Sequence, residues 1–343
     1  MTAVASSAEL NVETPLAALE HGITPAGQFY RRTNFYVPEI DPASWKLPVC
    51  GEVEAPFTLD GDALRTLPRR SVAVTMECAG NARSLVTPAT PGHQWEHGAV
   101  STAVFTGVAL RTLLERARPR AGAVEVLFTG ADSGSVGAGR TEPFARSIPM
   151  ALAQDPDVLL AWEMNGQPLP AEHGHPLRLV VPRWYGVASV KWLAEVRVIA
   201  EPFRGHFQYE KYVYLGEAGT ADGTPITRMR VRSLVSFPSA GDELSAGVPV
   251  EIRGCAWSGE APVERVEVSA DGGRTWAAAQ LAAAPSPYAA APWRLLWIPL
   301  RAGAAELIAR ATDAAGNTQP LECVWNELGY GNNAVQRVPV TIV

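Results

Sequence analysis

Cysteine is scarce and scattered. The four in 343 residues, Cys50, Cys78, Cys255 and Cys323, form no C-x-x-C pair, no zinc-ligand spacing and no haem-attachment motif. A disulfide framework is therefore not expected, and a reducing compartment suits the chain. A basic excess is missing too: Lys plus Arg is 29 against 35 Asp plus Glu, a formal charge of −6, which speaks against nucleic acid as a partner. No stretch approaches the roughly 18 apolar residues of a membrane span. Met1 to Leu16 lacks the basic start and apolar core of an export leader, and the internal Arg31-Arg32 and Arg69-Arg70 pairs precede no hydrophobic run. The chain accordingly reads as soluble and cytoplasmic, with neither a membrane nor a nucleic-acid partner. No G-x-G-x-x-G follows a strand, so a nicotinamide dehydrogenase has no support.

What is present in quantity is glycine (30) and proline (28), which favour short strands and turns over long helices. The length accommodates two cores. The sequence divides into an N-terminal extension, 1–26, a mixed α+β domain, 27–223, and an all-β immunoglobulin-like sandwich, 224–343. In the first domain Leu47–Val53, Ser71–Glu77, Ala123–Thr129 and Arg178–Val181 are expected strands. Val108–Ala117 has leucines at helical spacing. Pro149–Ala153 and Pro156–Trp162 are expected to be short helices, and Glu217–Pro225, rich in small residues, a linker. Beyond it, Pro249–Arg253 and Val263–Ser269 alternate apolar and polar residues, the period of a half-buried strand. Ala270-Asp271-Gly272-Gly273-Arg274 supplies turn chemistry, and Arg294–Trp297, Ala305–Ala311 and Val338–Val343 continue the series.

One cysteine stands apart in its setting. Cys78 ends the β-prone run Val74-Thr75-Met76-Glu77 and is followed by Ala79-Gly80-Asn81-Ala82-Arg83. Backbone N–H groups at a tight turn and a nearby cation stabilise a thiolate, which is both a nucleophile and a soft metal ligand. The same position also suits a small buried residue at a strand end. Polar and cationic groups further gather beside apolar runs at Phe29–Asn34, Gln94–Ala99, Glu172–Arg178 and Ser189–Trp192. A His, an Arg and a Lys at the borders of core strands suggest a buried anion, most readily a phosphate.

Taken in chain order, these segments resemble the sulfite oxidase family of molybdopterin enzymes, over nearly the whole chain from Phe29 onward. The likeness is carried by Met76-Glu77-Cys78-Ala79-Gly80-Asn81, Trp95 with Gly98-Ala99, Thr106-Gly107-Val108, Glu163–Pro170 with His173-Gly174, and Val190-Lys191-Trp192-Leu193. In the second half it is carried by Gly254–Gly259 and Asp271–Trp276. The resemblance implies one molybdenum–molybdopterin per chain, with Cys78 as the protein's metal ligand. It puts Asn34, Asp132, His173, Arg178, Ser189 and Lys191 at cofactor positions, and Arg32, Arg83, Trp95 and Tyr212 at the catalytic pocket. It further implies oxidation of sulfite or a related small oxyanion, a homodimer formed through the sandwich, and electrons passed to a separate acceptor, since nothing resembles an attached haem or flavin domain.

Some positions depart from that pattern. Asn34 stands where sulfite oxidases of the family usually carry His, and the third substrate arginine of the family falls at Leu328. Leu328 and Asn332-Asn333 are more like the plant-type nitrate reductases, whereas Tyr212 favours the sulfite branch. Phe105 replaces a Trp and Arg183 a Gly. The alternatives are a reductase of nitrate or of an S- or N-oxide on the same fold, a metal-free cysteine hydrolase pairing Cys78 with a base such as His97, and a binding module in which Cys78 is only core.

Overall fold

The computed structural model describes residues 11–343. The first ten residues of the expected extension, and of the stretch read as carrying no leader, lie outside them. The rest of that extension is built into the fold. Asn11–Val12 pairs antiparallel with Arg31–Arg32, and Leu16–His21 forms a 3₁₀ turn between them.

Two five-stranded sheets and a few short helices make the first half. One sheet runs Gln167–Pro168, Leu159–Met164, Val100–Ala109, Arg69–Glu77, with Arg178–Val180 also paired to Leu159–Met164; every pairing in it is antiparallel. The other runs Phe57–Asp60, Lys46–Gly51, Leu193–Ile199, Glu125–Gly137, Arg140–Pro149, and is antiparallel except where Lys46–Gly51 meets Leu193–Ile199. The helix Leu110–Ala117 buries Leu110, Leu113 and Leu114, the stripe that its spacing predicts. Met150–Ala153 forms the expected single turn. Pro156–Trp162 does not: its second half belongs to the strand Leu159–Met164. That run is buried nearly throughout, and continuous apolar residues carry no period to separate a buried strand from a helix.

In the second half two sheets face each other. One is Arg232–Phe237, Val250–Trp257, Ala291–Trp297, Gln280–Leu281; the other is Glu243–Leu244, Arg337–Ile342, Gly303–Asp313, Val263–Ser269, Ala277–Ala278. Ile252, Trp293, Leu307, Val338 and Val340 fill the space between them. The Gly272 and Gly273 turn joins Val263–Ser269 to its antiparallel neighbour Ala277–Ala278, both glycines having positive φ. This is the immunoglobulin-like sandwich, and the chain as a whole is of mixed α+β class.

Glu217–Pro225 is not a free linker. Thr224–Pro225 pairs with Val213–Tyr214, and Glu217 is buried, bonded to Arg230 and to Asn326 Nδ2 at 3.0 Å. The main core cluster itself continues from the first half into Leu234, Cys255, Trp257 and Tyr330. The free edge of Arg69–Glu77 is covered from the second half: Thr75 N–H donates to Tyr288 O at 2.9 Å, and Ala290 N–H to Thr75 Oγ1 at 2.7 Å.

Candidate active site

Arg69–Glu77 delivers Cys78 to the mouth of a cleft. The strand stops there because the chain turns: Asn81 N–H closes on Cys78 O at 2.9 Å, while Cys78 N–H remains bonded to Ala99 O at 2.8 Å. Asn81 braces the turn, its Nδ2 donating to Glu77 Oε1 at 3.0 Å and its Oδ1 accepting from Ala99 N–H at 3.1 Å. Ala82 is held in the left-handed region at φ 62°, with Asn332 Nδ2 bonded to its carbonyl at 2.9 Å. Gly331 N–H donates to Ala79 O at 2.7 Å. The cysteine loop is thus fixed from both halves of the chain.

Glu77, beside the cysteine, is buried and fully engaged. Its Oε1 accepts from Arg232 Nη1 at 2.9 Å and its Oε2 from Trp257 Nε1 at 2.9 Å. Arg232 also donates to Asn332 O at 3.0 Å and meets His97 Nδ1 at 3.0 Å. His97 is pushed down to about 3 by burial and then by Arg232. A ring so engaged and held neutral is not a base for Cys78. Burial raises the Cys78 thiol above its ordinary value, against the pull of Arg32, the Gly80 N–H and Arg83. The metal-free hydrolase that pairs Cys78 with His97 therefore has neither an activated thiol nor a free base.

The cleft is open to solvent and offers about 700 Å³ of free space, its open mouth included. Arg32, Asn34, Cys78, Asp132, His173, Arg178, Ser189, Lys191 and Tyr212 all line it, so nine of the eleven residues singled out from the sequence come together. The other two, Arg83 and Trp95, do not line it. Arg83 is buried, with Nε donating to Leu328 O at 3.1 Å, Nη1 to His93 O at 3.0 Å, and its guanidinium 4.6 Å from the Tyr330 ring centroid. Trp95 is buried in the same apolar cluster as Cys78.

On the deep side Arg178 is buried, and its donors reach only neutral atoms: His173 O at 3.0 Å, Ser189 O at 3.2 Å and Met76 Sδ at 3.5 Å. Lys191 Nζ donates to Thr33 Oγ1 at 3.1 Å and Glu172 O at 2.8 Å. Burial, then Arg178, pushes Lys191 down to about 7, and burial pushes Asp132 up to about 6. His173 lies beside them, driven down to about 3 by burial and then by Arg178 and Lys191. Its Nε2 is buried without a hydrogen-bond partner among the described residues. Gly174, at φ 108°, lets the chain turn where a Cβ would sit 3.0 Å from Arg178 Cβ and 3.1 Å from Lys191 Cβ.

Residues 34–207 match the oxidoreductase molybdopterin binding domain, and residues 224–343 the Mo-co oxidoreductase dimerisation domain. The mitochondrial sulfite oxidase of Homo sapiens is 39% identical over 361 residues, covering 99% of this chain and 65% of that protein. Sulfite oxidase of Gallus gallus is 36% identical, over 97% of this chain and 76% of that one. The chain belongs to the sulfite oxidase family of molybdopterin oxidoreductases. It spans about 65% of the length of the human relative. An NADH nitrate reductase of Solanum lycopersicum is 33% identical over 97% of the chain and 40% of that protein. Among solved structures, the sulfane dehydrogenase SoxCD of Paracoccus pantotrophus superposes with a TM-score of 0.85 at 30% identity, covering 97% of this chain and 85% of that one.

The residues of this sulfite oxidase family member suit the group its first domain is built to bind. Buried cations bonded only to carbonyls, a hydroxyl and a thioether, with an unpartnered His173 Nε2 among them, form an environment that a phosphate completes. Among the described residues no three His, Cys, Asp or Glu side chains converge to hold a metal ion. A metal at Cys78 would therefore take its other donors from a non-protein ligand, as a pterin dithiolene supplies. Phe29, Tyr30, Thr33, Met76 and Trp192 line the cleft inside segments singled out from the sequence, whereas Phe144, Gly186 and Val187 were not singled out at all; nor was Lys211, which bonds Asn34 of the lining. Phe144 and Val187 have the apolar character of ordinary core. Lys211 sits in Tyr209-Glu210-Lys211-Tyr212, which reads as a solvated surface.

Proposed function

We propose that this chain binds one molybdenum–molybdopterin and oxidises sulfite or a related small sulfur oxyanion, passing the electrons to a separate acceptor. When bound, that group supplies two-electron redox chemistry with oxygen-atom transfer. The protein's part is ligation, positioning and charge. Cys78 would hold the metal as its thiolate, giving up its proton on binding. His173, Arg178, Lys191 and Ser189 would hold the pterin and its phosphate, with Asp132 and Asn34 at further polar positions. Arg32 and Arg83 would draw the oxyanion to the Cys78 side of the cleft, with Tyr212 as a hydrogen-bond donor and Trp95 as apolar backing.

The observation that supports this reading is the gathering of cations about one sulfur. Arg32, Arg178 and Lys191 share the cleft lining with Cys78, Arg32 and Arg83 both act on its thiol, and the hydrogen-bond partners of these cations among the described residues are neutral. Nitrate reduction is the second reading, favoured by Leu328 and by the likeness to the tomato enzyme. Asn332 and Asn333 add little to it here, because both side chains are spent on backbone carbonyls, Ala82 O at 2.9 Å and Val231 O at 3.0 Å. A homodimer through residues 224–343 and a cytoplasmic location complete the proposal.

The deciding experiment is metal analysis followed by steady-state assay of the loaded protein with artificial electron carriers. About one molybdenum per chain and turnover of sulfite are expected. Turnover of nitrate with none of sulfite would establish the second reading, and absence of molybdenum from active protein would remove both.

A further inference from the structure

Three donors converge on one neutral oxygen at the mouth of the cleft. Asn34 Oδ1 accepts from Arg32 Nη2 at 3.0 Å, from Lys211 Nζ at 3.2 Å and from Tyr212 O–H at 3.2 Å. An amide oxygen offers two lone pairs, so this acceptor is oversubscribed, and two of its donors carry full positive charge. The other partners of the cations nearby are neutral as well. Arg32 Nη1 donates to Thr33 O and to Asn11 Oδ1 at 3.2 Å. Arg83 is held by two carbonyls, and Lys211 Nζ lies 5.4 Å from the Phe207 ring centroid. The nearest carboxylate in sequence, Glu210, is committed elsewhere, to Arg140 Nη2 at 2.6 Å and His206 Nδ1 at 2.9 Å. Leu328 brings no charge; its carbonyl anchors Arg83 and its side chain packs on the core.

We propose that Lys211 is the third cation of the substrate pocket, joining Arg32 and Arg83 to bind a doubly charged oxyanion. The inference rests on the reading of this cleft as an oxyanion site. Among the described residues no carboxylate is bonded to these three cations; like charges so gathered repel, and the repulsion is relieved when an anion joins them. Burial first, and then the repulsion of Arg32 and Arg83, push Lys211 down to about 8. Asn34 then acts as the place-holder: its amide oxygen occupies the donors until an anionic oxygen with more lone pairs displaces it. A dianion gains more than a monoanion from each added cation, so the third cation favours sulfite and sulfate over nitrate.

The test uses the molybdenum-loaded holoenzyme and compares wild type with Lys211→Gln, which keeps length and polarity, and Lys211→Arg, which keeps charge. Sulfate binding by calorimetry and sulfite kinetics are the readouts. Lys211→Gln is expected to weaken sulfate about tenfold and raise the sulfite KM by a similar factor, with kcat within about twofold. Lys211→Arg should recover most of both. Nitrate binding should change less than sulfate binding. As pH rises through about 8, where Lys211 gives up its proton, wild-type sulfate affinity should fall more steeply than that of Lys211→Arg, which keeps only the titration of Lys191 near 7. If sulfite is oxidised and Lys211→Gln leaves both sulfate affinity and KM unchanged, the third-cation role is wrong while the oxidase reading stands. If sulfate binding depends on Lys211 but sulfite is not turned over, the role stands and the oxidase reading falls.

Discussion

At the scale of single residues, the chemistry turns on where each side chain's alternatives have been used up. Cys78 cannot draw on His97 as a base, because that ring is bonded to Arg232; a bound metal is a partner that its setting leaves open. Cys78→Ser is expected to lower kcat on the order of 100-fold or more, with circular dichroism unchanged. Pterin content by fluorescence should be retained, since Arg178, Lys191 and His173 are untouched. Full activity in that variant would remove the thiolate from the reaction. The cysteine and most of the cleft were legible because strand residues end on a turn with a recognisable order of types. Lys211 was not, because its meaning depends on Asn34, 177 positions away. No local pattern distinguishes a surface lysine from one folded against a distant amide.

At the scale of elements, the strand Arg69–Glu77 matters for how it stops. The bracing by Asn81 turns an edge-strand ending into a rigid loop. Asn81→Ala would strand the buried Ala99 N–H, at a cost of about 1–3 kcal/mol. It would also free the loop that carries Cys78. The expected result is a melting temperature lower by several degrees, roughly 2–4 °C per kcal/mol in a chain of this order of size, together with poorer retention of molybdenum. An unchanged melting curve with full metal content would show that the loop does not need this brace. Strands with alternation, such as Val263–Ser269, and the helix Leu110–Ala117 could be read directly, since burial on one face imposes a period. Leu159–Met164 could not, because it is buried on both faces. Glu217–Pro225 misled for another reason. Small residues look like slack, yet Glu217 is pinned by Arg230 and Asn326, contacts that composition does not reveal.

Over the whole molecule, the two halves meet through a charge as well as through packing. The Glu77–Arg232 pair, at 2.9 Å, leaves only 3% and 1% of its side chains exposed. Removing one partner of such a pair costs about 3–5 kcal/mol. Arg232→Met should therefore destabilise the chain by that order in denaturant titration, and adding Glu77→Gln should recover part of the loss. Equal stability in single and double variants would mean the pair is not coupled. Because Glu77 adjoins Cys78, the single variant should also lose metal.

That clasp gives the sandwich a share in the front half's chemistry. A fragment stopping near residue 223 would keep Cys78 and every residue assigned to the pterin, yet its Glu77 would face the seam with only the Asn81 amide left, and neither guanidinium nor indole to meet it. Damage in the rear module, far from any substrate, should for the same reason surface first as chain that fails to hold its metal.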